Sequence, residues 1–464
     1  MHCYENQMFM LNLFRIYVIM IVLFLFIKSQ AGFIHMKRYT GFSAILLLCI
    51  AIFTSCMPKT DNSSCTLRFS WWGGDDRHET TLKAIELFET KYPDINIEPE
   101  YGGWDGWTEK VTAQLTGNTA PDIMQVNYDW LLRFSKDGTG FYNLEELNDT
   151  INLDNFSDEI LDYGRQNGIL NAVPISMTGR SLFFNKTTFD EIGAEIPKSW
   201  DDLINLGKVF EKNESYPLDL DIQSGYTAWY LSVVYGQQKF GKEFISQDGT
   251  LNFTADEIAQ SLEFYKMLED NSVVRTVRQR VNDDGNDALY QSSGFIDGSV
   301  AGVLEWGSAV GKYEKSLEED NLVAGNLLFL DDCEVSGWFV KPSLMYAINK
   351  NTKYPQQSAL FVDFILNDGE CAEILGTSRG IPASSSAYEA LEKNNMLNGL
   401  AYESYIQINE CSPVSMSPYM ELSEMRNCYN SAIENVSYGI MTAEDAAQQM
   451  YDQMQKILAK FRDS

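Results

Sequence analysis

The stretch Leu67-Arg68-Phe69-Ser70-Trp71-Trp72-Gly73-Gly74-Asp75-Asp76-Arg77-His78 constrains the fold more than any other in the chain. Leu67 and Phe69 alternate with Arg68 and Ser70, which is the period of a strand. Gly73-Gly74 ends it. Leu82, Ile85 and Phe88 then recur at helical spacing, and Asp75 or Asp76 can cap that helix. Two tryptophans therefore stand where a strand gives way to a helix. In open α/β sheets that junction is the rim at which ligands bind. Neighbours on a strand point to opposite faces, so one indole is expected in the core and the other at the rim. At least one of them is expected to line a binding cleft.

The same alternation continues downstream. Ile95-Asn96-Ile97-Glu98 reads as a strand, Trp104-Asp105-Gly106-Trp107 leads into a helix, and Ile123-Met124-Gln125-Val126 is a strand after Pro121-Asp122. Asn127-Tyr128-Asp129-Trp130 closes that strand and opens the next helix. Strand, helix, strand, helix, strand predicts a parallel, doubly wound α/β sheet. Its strand-end loops carry Trp71, Trp72, Trp104, Trp107, Tyr128, Asp129 and Trp130. Further on, Val173-Pro174-Ile175 and Ser181 to Lys186 read as strands around a bend at Thr178-Gly179. Helices are expected from Trp200 with Ser199 as N-cap, at Tyr226 to Tyr235, at Ala255 to Leu268, and again near the C-terminus. Ala301 to Leu304 is a strand ending in Glu305-Trp306-Gly307, and Gly337-Trp338-Phe339 precedes another. A chain of 464 residues exceeds what one compact core serves, so two or more domains are expected.

Charge and residue usage remove several classes of function. The formal net charge is −30. The charged residues within 1–55 are Arg15, Lys28, Lys37, Arg38 and Glu5, so the acidic surplus lies downstream. Such a surface repels phosphate backbones, and nucleic acid is not an expected partner. Beyond residue 55 His78 is the only histidine. A multi-histidine metal site is excluded, and a His-based triad would have to use this one residue. No cofactor or metal is expected. The cysteines Cys3, Cys49, Cys56, Cys65, Cys333, Cys371, Cys411 and Cys428 include no CxxC pair. Five lie beyond Cys56, an odd number, so at least one is free or pairs between chains.

The N-terminal part reads as an export signal. Ile16 to Ile27 is an apolar run, short for a membrane span. From Met36 a better-ordered pattern begins: Lys37-Arg38, the apolar Ala44 to Phe53, then Thr54-Ser55-Cys56. The small residues before Cys56 resemble a bacterial lipobox, with Phe53 in place of the usual leucine. That resemblance implies that Cys56 is the lipidated first residue of the mature protein, palmitate among its acyl chains. Met36 is the expected start, residues 1–55 the upstream segment and signal peptide, and residues 56–65 a tether. An extra membrane segment within residues 1–35 is the alternative.

Indoles together with Asp129 and Glu305 have the chemistry of a sugar site. Pyranose rings stack their C–H faces on aromatic planes and donate hydroxyls to carboxylates. Aromatic rims also take peptides and apolar ligands. Trp200 is expected to pack its helix, Trp229 is open between core and site, and Trp306 and Trp338 adjoin glycine turns that suit a binding role. Arg180 and Arg379 each offer a planar fork for a carboxylate or for hydroxyls. If both face the cleft, a uronate-bearing ligand fits.

Taken together, Trp71-Trp72-Gly73-Gly74, Phe88 to Pro93, Ala120-Pro121-Asp122-Ile123, Val173-Pro174-Ile175, Phe184-Asn185-Lys186, Gly302 to Gly307 and Arg379 to Ala383 resemble the extracellular solute-binding proteins of family 1, the maltose-binding type. The likeness runs from Thr66 to Lys460. It implies two α/β lobes joined by a hinge that the chain crosses more than once, with the ligand between them. Residues 66–175 with 340–395 are expected to form one lobe and residues 176–339 with 396–464 the other. By position the resemblance makes Asp129 the carboxylate that accepts sugar hydroxyls, and Tyr226, Trp229 and Trp306 aromatics of the sugar subsites. The expected ligand-binding set is Trp71, Trp72, Trp107, Asp129, Arg180, Tyr226, Trp229, Glu305, Trp306, Trp338 and Arg379. The resemblance implies a monomer without catalytic residues, anchored by lipid on the extracytoplasmic face of a Gram-positive cell membrane. It would deliver an oligosaccharide, such as a plant-polysaccharide fragment, to the permease subunits of an ABC importer. A secreted glycoside hydrolase or polysaccharide lyase is the alternative.

Overall fold

The computed structural model describes residues 64–220, 226–285, 287–317 and 321–463. The export signal, Cys56 and the tether up to residue 63 lie outside the described residues. Strand β1 (Cys65–Trp72) lies between β2 (Ile95–Gly102) and β3 (Ile123–Val126) and runs parallel to both. Helix α1 (Asp75–Lys91) joins β1 to β2 and buries Thr81, Ala84, Ile85 and Phe88 against the sheet. Its N-cap is Gly74 and neither aspartate. Asp75 and Asp76 occupy the first turn instead, where carboxylates meet the positive end of the helix dipole. Helix α2 (Trp107–Thr116) joins β2 to β3.

A small hairpin, β4 (Arg165–Gln166) and β5 (Ile169–Leu170), leads into β6 (Ala172–Thr178) and β7 (Arg180–Asn185). Strand β8 (Gly302–Trp306) and β9 (Leu322–Ala324) flank β7 in an antiparallel three-stranded sheet. Strand β10 (Phe339–Ile348) pairs antiparallel with both β3 and β6 and carries the short β11 (Val414–Ser415) beside it. The first sheet is therefore mixed and not wholly parallel as the βαβ pattern predicts. The antiparallel member enters from more than two hundred residues away, beyond the reach of local periodicity.

Two large apolar cores form. One gathers Leu67, Phe69, Phe88, Ile123, Val173, Tyr346 and Phe361. The other gathers Leu182, Trp229, Tyr265, Phe339, Tyr429 and Leu458. Strand β10 belongs to both: Phe339 packs in the second, and Met345 to Ile348 pack in the first. Gly179 alone separates β6 from β7. Its carbonyl accepts from the Gly307 N–H, and a Cβ built on it would fall 2.5 Å from the Phe339 carbonyl oxygen and 2.7 Å from Ile408 Cδ1. Backbone must pass close to backbone at this crossing, which only glycine permits.

Cys65, Cys333, Cys371, Cys411 and Cys428 are all free thiols. No helix among the described residues is long and apolar enough to cross a membrane. Because the atoms around Gly179 are backbone and packed side chain, Gly179→Ala is expected to cost about 1–3 kcal/mol. Urea unfolding checks this, and an unchanged midpoint would mean that the crossing relaxes freely.

Candidate ligand site

The strand-end aromatics divide into two groups. Trp72 meets Trp104, Trp107 and Trp130, with ring centroids 5.2, 6.4 and 5.3 Å away. Trp104 is the member that reaches solvent, 44% exposed. Trp107 is buried beneath the Lys110 ammonium, 4.3 Å from its ring. Trp71 points to the opposite face, as alternation demands, and is fully buried. It stacks between Phe69 and Tyr101 at 4.9 Å from each and donates its Nε1–H to His78 Nδ1 at 3.1 Å.

Arg77 ties this rim to a distant turn. Its Nη1 donates to the Trp72 carbonyl at 3.2 Å, and its Nε and Nη2 donate to the Ser378 carbonyl at 3.3 and 3.1 Å. A Cβ at Gly73 would lie 2.5 Å from Arg77 Cδ, so any larger residue there would push the Arg77 side chain aside. Burial, and then repulsion from Arg379, pulls the Arg77 guanidinium down to about 9. Arg379 is itself buried and donates to Thr81 Oγ1 at 2.6 Å and to Gln125 Oε1 at 3.4 Å. These partners all belong to the first core's side of the molecule.

Arg180 stands elsewhere. The antiparallel register of β7 and β8 sets Arg180 opposite Trp306 and Ser181 opposite Glu305. The Arg180 guanidinium carbon lies 4.7 Å from the Trp306 ring and 5.4 Å from the rings of Tyr226 and Tyr230. Tyr226 opens helix α3 (Tyr226–Phe240), and Tyr230 is one turn along it. Arg180 Nη1 donates to Thr227 Oγ1 at 2.9 Å and to the Leu304 carbonyl at 3.2 Å. Lys341, opposite Thr178 across β10 and β6, lies 4.7 Å from the Trp306 ring and 2.7 Å from Glu421 Oε2. Arg426 lies 3.1 Å from Glu421 Oε1 and 4.6 Å from the Tyr226 ring. Trp306 itself is half-buried.

The acids of this group behave oppositely. Burial opposes the Glu421 charge, but Lys341 and Arg426 outweigh it and hold the carboxyl below its usual value. Burial and the Glu421 charge push Asp129 up to about 6, against weaker pulls from Arg426, Arg133 and Lys341. Asp129 accepts from Asn127 Nδ2 at 2.7 Å. Glu305 is buried too, yet Lys312 at 2.8 Å and Arg180 keep it charged, and its Oε1 accepts from the Trp306 N–H.

The structure thus brings together Asp129, Arg180, Tyr226, Glu305 and Trp306. It leaves Arg379, Trp72 and Trp107 on the first core's side, and Trp71 lies wholly inside that core, away from the other expected site residues. Trp229 and Trp338 call for correction, because both are fully buried in the second core. Trp229 packs on Phe244 and Tyr429 at 5.4 and 5.7 Å. Trp338 stacks parallel to Trp200 at 6.5 Å and donates to the Leu328 carbonyl. A helix buried on nearly all faces and a strand crossing beneath it turn both indoles inward. Sequence reasoning missed Tyr230, Lys341, Glu421 and Arg426. A lysine within the apolar run Phe339 to Ile348 was the available signal for one of them, since a buried ammonium needs a partner.

Comparison with known proteins agrees with this architecture. Residues 74–370 match the bacterial extracellular solute-binding protein family. The chain belongs to that family. Among solved structures it resembles a periplasmic oligogalacturonide-binding protein from Yersinia enterocolitica in complex with saturated digalacturonic acid. That pair is 34% identical with a TM-score of 0.80, covering 86% of this chain and 99% of the other. A periplasmic solute-binding protein from Pectobacterium atrosepticum is 32% identical over the same shares, with a TM-score of 0.81. The diacetylchitobiose-binding protein of Streptomyces coelicolor is 26% identical over 187 residues, 39% of this chain and 42% of that protein. The chain spans less than half the length of the curated relatives it matches. The fold is the two-lobe α/β architecture of these solute-binding proteins.

The raised Asp129 carboxyl has a consequence for stability. It titrates near 3.9 in an unfolded chain and at about 6 in the fold. Between those values the folded state holds the proton more tightly, so this group's contribution falls as pH rises through about 4–6. Asp129→Asn is expected to stabilise the ligand-free protein at pH 7 by up to about 3 kcal/mol and to flatten that pH dependence. Urea unfolding at pH 4, 5, 6 and 7 checks both. A variant that is less stable at pH 7 would show that the charged form is favoured in the fold.

Proposed function

We propose that this member of the solute-binding family is a lipid-anchored capture protein of a carbohydrate ABC importer. It holds an oligosaccharide, such as a plant-polysaccharide fragment, between two lobes and hands it to membrane permease subunits without chemistry of its own. Trp306 carries the reading. It is a half-buried indole at the chain crossing, flanked by Arg180, Lys341 and Tyr230, with carboxylates of both kinds nearby. Aromatic faces suit pyranose rings, and Asp129 and Glu305 suit their hydroxyls. The ligands named for the Yersinia and Streptomyces proteins are both oligosaccharides. The lobe boundaries proposed are residues 66–175 with 340–395 and residues 176–339 with 396–464, which the two apolar cores support. Ligand that contacts both lobes would shift the hinge toward its closed form. Cys56 would supply the anchor on the extracytoplasmic face of the membrane, more than one acyl chain being needed for stable attachment, and the protein would act as a monomer.

A secreted hydrolase or lyase is the competing reading, and the raised Asp129 carboxyl is the one observation in its favour. Calorimetry against an oligosaccharide panel, with chromatography of the same mixtures, separates the two. Capture predicts binding heat and unchanged sugars, whereas shortened products would establish the enzyme. Trp306→Ala is expected to weaken binding more than about tenfold, the loss of a central aromatic contact. Unchanged affinity would remove Trp306 from the site.

A further inference from the structure

Four side chains from the two cores close into one circuit. Tyr128 donates its hydroxyl to Gln247 Oε1 at 3.0 Å. Gln247 Nε2 donates to the Ser415 carbonyl at 2.8 Å. Ser415 Oγ accepts from the Tyr163 hydroxyl at 2.8 Å. Tyr163 meets the Tyr128 ring edge-on, with centroids 5.6 Å apart. Tyr128 and Tyr163 pack with the first core, whereas Gln247 and Ser415 adjoin Ile245, Val414 and Met416 of the second. Leu132 also reaches the second core here. Beside it the two sides part into a groove of about 430 Å³, lined by all four members of the circuit. The phenol hydroxyls therefore span a gap that side chains do not fill.

The circuit bears on the candidate site through the chain on either side of it. Asp129 directly follows Tyr128. Across the gap, Ser417 Oγ donates to the Ser246 carbonyl at 2.9 Å, so the segments holding Gln247 and Ser415 are tied together twice. The turn Pro418–Glu421 continues from there and ends at Glu421, whose charge acts on Asp129. Where Tyr128 meets Gln247 thus sets where Asp129 stands relative to Glu421. Burial, then Tyr163 and Glu421, push the Tyr128 phenol well above its usual value, so it remains a donor. In the same arrangement Asp76, just past the end of β1, pairs with Lys315, on the segment that follows Trp306. The edges of the two cores that carry the strand-end residues are therefore in contact while the circuit is intact, as in a closed clamp.

We propose that Tyr128 and Tyr163 are positioning residues for ligand capture: they touch no sugar, and their hydroxyls, through Gln247 and Ser415, hold the lobes in the closed arrangement that brings Asp129 to Glu421. This rests on the capture reading and adds the residues that set its hinge equilibrium. Each hydroxyl bond stabilises the closed form alone, so its loss lowers the closed population and the apparent affinity together. The loss falls on dissociation, because the open protein meets sugar as before.

A double-mutant cycle in calorimetry tests the circuit, with digalacturonate, diacetylchitobiose and the oligosaccharide panel as probes. Tyr128→Phe and Gln247→Leu are each expected to weaken the tightest-binding probe about fivefold, the worth of one neutral hydrogen bond. Combined, they are expected to weaken it by about the same factor as either alone, since both break one bond. Tyr163→Phe, which frees Ser415, is expected to act to a similar extent. Stopped-flow mixing is expected to show faster release and unchanged association in each variant. Unchanged affinity in these variants, slower association with unchanged release, or Tyr128 and Gln247 losses that add to about twenty-five-fold would overturn the positioning role and leave sugar capture intact. Gln247 is solvent-exposed, so Gln247→Leu carries the test even if Tyr128→Phe fails to fold. Absence of binding by every probe to the unaltered protein would overturn the capture reading, and this one with it.

Discussion

The buried charge of Glu421 is the constraint from which the arrangement of the site follows. It is almost wholly withdrawn from solvent and touches both Lys341 and Arg426. Removing one partner of such a pair leaves an uncompensated charge, typically worth about 3–5 kcal/mol. Lys341 sits on the strand that serves both apolar cores, and Arg426 sits on the helix Ser423–Ser437 that packs the second. Holding the three together therefore fixes where strand β10 meets the second core. The same contact brings Trp306, one residue before the chain passes Gly179, against the Lys341 ammonium and the Arg180 guanidinium.

Polar contacts also join the two cores. Asp76 pairs with Lys315, Arg133 with Glu424, Tyr128 donates to Gln247, and Tyr163 donates to Ser415. Exposed ion pairs are worth about 0–1 kcal/mol each. Contacts of this sort let one arrangement of the lobes exchange for another at small cost, where a shared apolar core would not. A ligand with a few contacts to each lobe could then bias the hinge. The chain passes between the cores at β6 and β7 around Gly179, and along β10 beside them.

Much of the fold was legible. The run of β1, α1, β2, α2 and β3 follows from alternation, glycine breaks and helical stripes, because each is a property of consecutive residues. Ser199 accepts from the Asp202 N–H, the cap expected of it. The cap at Gly74 was not legible, since Asp75 and Asp76 serve the same helix end by charge from within its first turn. The clustering of indoles at strand ends was visible as well, and Trp72, Trp104, Trp107 and Trp130 do meet. What could not be seen was which indole stays accessible. That depends on how α2 lies over Trp107, a matter of packing between elements.

For the candidate site the division is sharper. Local pattern alone determined that strands would end in aromatic and acidic residues, that a strand would follow the glycine bend beside Arg180, and that the chain would form an α/β molecule with more than one core. Side-chain chemistry and backbone period reside in neighbouring residues and need no partner to be read. Tertiary structure alone decided that Arg180 stands across from Trp306, that Lys341 and Arg426 share Glu421, and that Trp229 and Trp338 turn inward. Those outcomes depend on which charges are desolvated together. Desolvation is set by residues up to about a hundred positions or more apart, which come into contact only when both cores have closed.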